Sequence, residues 1–368
     1  MAFKMNTVKC DFGSYQAPYL ILSPRKFGKT TWWRNFVVEA WGDASKGLLI
    51  SCGTESGFHA LDNLQVEEAL EWDAEYDEET DHRGLVQIID DLIDNNKEYG
   101  IKGVCFDTFD TLYDIAAAET LRICRKETGK NCKSLLEAWG GYNRGPERLV
   151  KLIQDQLTRL YRAGIAVFIL THTKFKERTD PLTGEKYEQL TNLMQDRTYS
   201  AIADNAQMVI VGTLERNING GKIADEKRVF HLRGTSTIDA GSRFNDLPDT
   251  IGLDPKEFIE AFKQGVKSSS TTKKMTDADF EKTVKKEQAE MDKQADVSRS
   301  RDKVARQAEV DEESRDEFIS TIQAGFSTAD ADLKSKAKTM LNGAGYAKFS
   351  DPDLPIQTLK QIASLFTA

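Results

Sequence analysis

Short, almost wholly apolar runs recur through the first 265 residues, separated by segments of helical periodicity. They are Tyr19-Leu20-Ile21-Leu22, Gly47-Leu48-Leu49-Ile50-Ser51, Gly103-Val104-Cys105-Phe106, the six residues 165–170, and Gln207 to Val211. Val229 to Leu232 is a candidate sixth. A strand with one wet face alternates apolar and polar residues, whereas a continuous run needs cover on both faces. Residues 30–41 and 85–95 read as helices between the runs. In 149–162, positions 149, 150, 152, 153, 157, 160 and 161 make an amphipathic stripe. The pattern predicts an α/β fold with a mostly parallel central sheet.

Composition narrows the class. The chain has 368 residues, 39% of them hydrophobic, enough to build a core rather than a disordered chain. No apolar run approaches the ~20 residues that cross a bilayer. No apolar segment follows Met1-Ala2-Phe3-Lys4, so neither a secretory leader nor a membrane partner is expected, and a cytoplasmic location is. Five cysteines (Cys10, Cys52, Cys105, Cys124, Cys132) include no C-x-x-C pair, which points to a reducing compartment and away from a zinc ribbon. A net charge of -9 excludes a uniformly basic nucleic-acid coat.

Between the first run and its helix lies Ser23-Pro24-Arg25-Lys26-Phe27-Gly28-Lys29-Thr30-Thr31. It meets the Walker A pattern G-x-x-x-x-G-K-[ST] at every fixed position except the first, where Ser23 replaces glycine. Gly28 permits the turn that aims successive amides at phosphates, backed by the positive end of the following helix. Lys29 suits the β- and γ-phosphates of ATP, and the Thr30 hydroxyl suits Mg²⁺. The third run ends in Asp107, the Walker B position, at the carboxyl end of a strand where ligands of open sheets bind. Asp110 and Asp114 read as helix-start or solvated carboxylates.

Beyond the second run, Thr54-Glu55-Ser56-Gly57 places a lone Glu past the sheet edge. With the Pro24–Thr30 loop, this segment resembles the phage-encoded RecA-like single-strand annealing proteins, a group also described as phage nucleotide-binding or AAA-type ATPases. The resemblance covers about residues 16–250. It implies that Glu55 polarises the attacking water, with a dipole-favouring helix-start carboxylate as the alternative. It also makes His172, at the end of the fourth run, a γ-phosphate sensor, against a structural histidine. Arg233 and Arg243 become candidates for an arginine that reaches a neighbouring subunit, against ordinary ion pairing.

The same resemblance implies single-stranded DNA and a homo-oligomer as partners, with a phage single-strand-binding or replication protein as a further one. Lys174, Phe175, Lys176 and Arg178 occupy the place of a DNA loop, as does the basic region 124–145 with Trp139 and Tyr142. A solvated hairpin is the alternative for the first. Residues 67–81 hold nine carboxylates and no basic residue, so they belong away from a DNA path. Three regions are expected: a RecA-like ATP-binding core over 1–266, a charged linker or helix over 267–310 and a small helical unit over 311–368. The expected activity is Mg²⁺-dependent ATP hydrolysis on single-stranded DNA in phage recombination or replication. A ring-forming helicase or motor and a nucleotide-gated adaptor without turnover are the alternatives.

Overall fold

The computed structural model describes residues 18–53, 57–74, 79, 82–219, 222–269 and 277–366. The sheet order follows from the apolar runs. Strands β1 (Tyr19–Ser23), β2 (Gly47–Cys52), β3 (Gln65–Ala69), β4 (Gly103–Asp107), β5 (Ala166–Thr179) and β7 (Met208–Asn219) lie parallel in the order β7-β1-β5-β4-β2-β3. Strands β8 (Lys222–His231) and β10 (Thr250–Ile251) extend the β7 side antiparallel, and β9 (Gly241–Ser242) pairs β7. Strand β6 (Lys186–Asn192) folds back on the outer half of β5 as a hairpin. The mostly parallel sheet expected from the runs is present.

Each run splits by the two-residue strand period between two cores. Leu20, Leu22, Ile50, Val104, Phe106, Val167 and Ile169 face one core with helices α2 (Leu85–Tyr99), α3 (Phe109–Thr128), α4 (Arg144–Arg162) and α5 (Asp196–Ala203). Tyr19, Ile21, Leu49, Cys105, Phe168 and Leu170 face the other, under α1 (Lys29–Trp41) and α6 (Pro255–Ser269). The second core is aromatic. Phe168 lies 4.8 Å from Trp33, 4.9 Å from Phe36 and 4.9 Å from Tyr19, centroid to centroid. Such contacts favour rings set at offset or tilted angles and add about 1 kcal/mol each beyond burial.

Strand β3 has no counterpart among the predicted runs. It is a short edge strand whose register, Leu48 with Gln65 through Cys52 with Ala69, carries Glu67 and Glu68. Charge on an edge strand blunts edge-to-edge pairing, which is why the segment reads as solvated by composition.

The chain divides into two compact units, with the boundary between Ser298 and Arg299 inside the helix α7 (Asp277–Thr328). In the second unit, α8 (Ala331–Gly343) and α9 (Ile356–Ala363) pack with the end of α7 around Ile322, Leu341, Leu354, Leu359 and Ile362. Arg315 clamps this unit by donating to the carbonyls of Asp351 and Leu354, at 3.1 and 2.6 Å. Among the described residues no helix is long and apolar enough to cross a membrane.

Phe168→Ala is expected to lower the unfolding free energy by about 3–5 kcal/mol, because its rigid aromatic neighbours cannot collapse into the space left. Urea titration measures the loss, and an effect below about 1 kcal/mol would show the cluster to be loose.

Candidate nucleotide-binding site

Buried packing shapes the phosphate loop. Phe27 is buried against Phe230, 5.4 Å between centroids, and above Gly212 of β7. A Cβ at Gly212 would stand 2.7 Å from the Phe27 ring and 2.8 Å from the Ser23 Cβ, so only glycine lets the loop seat there. Gly28 takes φ 102° as the residue before α1, a left-handed conformation that an L side chain would strain. Ser23, in the place of the pattern's first glycine, is fully buried at the end of β1 beside His172 of β5. Pro24 is half-buried, while Arg25, Lys26 and Thr31 are exposed.

The polar residues converge at the carboxyl ends of β1 and β4 and beside Thr171 and His172 in the middle of β5. Lys29 is only 6% exposed, and its Nζ donates to the carbonyls of Pro24 and Ser23 at 3.3 and 3.5 Å. The Thr30 hydroxyl donates to Asp107 Oδ2 at 2.7 Å, joining two residues 77 positions apart. Asp107 is 7% exposed, and the peptide bond that follows it is cis. A hydroxyl and a carboxylate oxygen side by side are the hard donors that suit Mg²⁺.

Asp110 proves to be more than a helix-start carboxylate. In the first turn of α3 it accepts from Thr171 Oγ1 at 2.9 Å and from the His172 backbone N–H at 3.2 Å. Its Oδ2 also lies 2.7 Å from His172 Nδ1. The histidine ring is thus held at Nδ1. Only the sheet order reveals this, since β5 passes between β1 and β4.

Arg228 of β8 was invisible to motif reading. It shares a strand face with Phe230, and its Nη1 donates to the Phe27 carbonyl at 3.3 Å while lying 3.8 Å from the Cβ position of Gly28. It braces the phosphate loop from outside and adds positive charge there. Glu55 lies outside the described residues, three positions beyond the end of β2. Arg233 pairs with Asp249 at 3.8 Å and Arg243 donates to the Asp204 carbonyl, so in the isolated chain both are held locally.

The candidate DNA residues divide. Lys176 and Arg178 both bind Asp196, at 2.8 and 2.6 Å, and Lys176 also bonds Asn192 and Met194. Their hydrogen bonds, Arg178's first, hold the Asp196 carboxyl down to about 2. Lys174 and Phe175 remain exposed. At the ends of α3 and α4 that flank their connection, Arg122 binds Glu119 and Asp73, Arg125 binds the Cys132 carbonyl, and Arg144 binds the Trp139 carbonyl. Trp139 lies under Arg148 at 4.0 Å. Lys126, Lys130, Lys133 and Tyr142 are exposed.

A phosphate loop, a strand-end aspartate and a parallel sheet together define a P-loop nucleotide-binding protein. A family model described as an AAA domain matches residues 16–244, more than half of the chain, and the chain belongs to that AAA-type ATPase family. AAA-type domains are nucleotide-binding ATPases that typically work with Mg²⁺. A search of curated proteins gives no match.

Two outcomes test this geometry. Arg228→Ala is expected to weaken ATP binding about tenfold, the equivalent of about 1.4 kcal/mol, with Arg228→Lys restoring part of it. Titration calorimetry reads the affinity, and an unchanged value would reduce Arg228 to a surface residue. For the hairpin, a depressed carboxyl pKa means that the Asp196 clamp is in force above the ordinary carboxylate range and is lost as pH falls from about 4 towards 2. Pepsin cleavage near Phe175 and Leu182 should therefore rise over that window in the wild type and be high already at pH 4 in Asp196→Asn.

Proposed function

We propose that this AAA-type chain is an Mg²⁺-dependent, RecA-like ATP hydrolase that acts on single-stranded DNA in phage recombination or replication as a homo-oligomer. The observation that carries the reading is the Thr30–Asp107 hydrogen bond beside the buried Lys29, at the carboxyl edge of a parallel sheet. Thr30 and Asp107 are the residues that would hold Mg²⁺. When bound, the metal neutralises charge that develops on the transferring phosphoryl group.

The chain's own residues supply the rest. Lys29 exchanges its two loop carbonyls for phosphate oxygens, and the amides at the start of α1 cradle the same group. His172 stands beside Ser23 in register, Asp110 fixes its ring, and in this reading it senses the terminal phosphate. Glu55 follows β2, whose Ser51 is in register with Asp107, and takes the proton of the attacking water. For DNA, Lys126, Lys130, Lys133 and Tyr142 combine charge with a stacking ring, whereas Lys176 and Arg178 are occupied by Asp196.

A second reading, a nucleotide-gated adaptor, is favoured by the hairpin. Its outer face sets Glu177 opposite Glu188 beside exposed Phe175, and Leu182 at the tip is 94% exposed. Glu177 pairs with Lys186 at 2.7 Å, so this face offers exposed apolar side chains without net positive charge, which suits a protein partner better than DNA.

ATP hydrolysis measured with and without single-stranded DNA, at two salt concentrations, separates the readings. DNA is expected to accelerate turnover and to bind less tightly as salt rises. Lys29→Ala should abolish nucleotide binding, and Glu55→Gln should cut turnover about 10²- to 10⁴-fold while nucleotide still binds. Turnover equal to that of Glu55→Gln selects the adaptor. DNA that neither binds nor stimulates ends the recombination reading.

A further inference from the structure

Two cysteines that stand eight residues apart in sequence meet at the end of α3. Cys124 Sγ and Cys132 Sγ are 2.8 Å apart, both buried in a small cluster with Ala138. Leu121 and Trp139 pack against that cluster. The sulfurs need less than ~1 Å of further approach to reach the bonded distance of about 2.0 Å. Nothing in the nucleotide site uses either thiol.

The surroundings hold the pair in place. The Trp139 backbone N–H donates to Cys124 Sγ at 3.4 Å, and the Thr128 hydroxyl lies 3.9 Å from the same sulfur. Arg125 grips the Cys132 carbonyl with two nitrogens, at 3.2 and 3.1 Å. Burial opposes ionisation of Cys124, but hydrogen bonds from Cys132, Trp139 and Thr128 lower its thiol pKa, while the hydrogen bond to Cys124 and burial raise that of Cys132. Cys52 and Cys105 behave oppositely, since burial pushes both thiols well up and leaves them as packing residues. Among the described residues no group of three or more His, Cys, Asp or Glu side chains gathers as for a metal ion.

The segment beyond the pair is strained. Five consecutive residues take positive φ: Trp139, Gly140, Gly141, Tyr142 and Asn143, at 53, 84, 87, 54 and 62°. Three are not glycine, and each holds a left-handed backbone that the surrounding contacts must offset. The contact from Trp139 to Cys124 ties this segment to the dithiol.

We propose that Cys124 and Cys132 form a redox-active dithiol, which a small disulfide oxidant such as oxidised glutathione converts to an intramolecular disulfide that closes residues 124–132. Both S–H bonds break and one S–S bond forms. Two electrons pass to the oxidant, whose S–S bond breaks, and the two protons complete its two thiols. In a reducing compartment the pair rests as the dithiol, so the modification reports a change in thiol poise. The ring encloses Arg125, Lys126 and Lys130 and stiffens the root of the α3–α4 connection.

The test uses the full-length chain and requires no nucleotide or DNA. After equilibration with excess oxidised glutathione, the free thiols are blocked and the peptides mapped by mass spectrometry. The expected product is a peptide pair joined through Cys124 and Cys132, lighter by about two hydrogens, and restored by dithiothreitol. Native trypsin cleavage at Arg125, Lys126 and Lys130 should slow roughly tenfold in the oxidised protein. Cys132→Ser should leave Cys124 without the bridge, and the wild-type map remains decisive if that variant folds poorly. Full alkylation of both cysteines under oxidation, or mixed disulfides with glutathione alone, overturns the proposal.

Discussion

Water exclusion from both faces of one parallel sheet is the constraint on which this protein depends. Backbone groups of the inner strands must pair within the sheet because no solvent reaches them. Side chains therefore sort by strand period into two apolar cores, one aromatic around Phe168 and Trp33, one aliphatic around Leu22 and Ile169. Polar residues are driven to the strand ends. That expulsion is what gathers Ser23, Asp107, Thr171 and His172 along one edge.

At this edge, packing and chemistry are the same contacts seen from two sides. Phe27 belongs to the aromatic core, yet its position sets the curve of the phosphate loop. Asp110 satisfies the end of β5 and in doing so orients His172. Arg228 shares its strand face with the core residue Phe230 and reaches the loop from there. Loosening the core at Phe230 therefore disturbs the site without touching any residue of the motif.

Charge is distributed by the same logic. The net -9 conceals an acidic edge at β3 and a basic connection after α3. In the hairpin, one carboxylate from α5, Asp196, pairs with two of the cations the sequence marks for DNA, Lys176 and Arg178. An ion pair formed within the chain removes charge from the surface available to a phosphate backbone.

The parallel sheet, the phosphate loop and Asp107 were legible in the sequence because each is local. A run of five or six apolar residues needs cover on both faces wherever it sits, and a Gly-Lys-Thr turn acts within nine residues. The edge strand β3 was hidden because its charge reads as solvated, although it pairs with β2 and sets Ala69 and Val66 against the two cores. The partnership of Asp110 with His172, the brace of Arg228 on Phe27, the capture of Lys176 and Arg178 and the meeting of Cys124 with Cys132 were decided only by tertiary structure. The cysteines meet across a tight connection, and the other three link separate elements through a few side-chain atoms. No period or spacing encodes such contacts, so they exist only once the elements have packed.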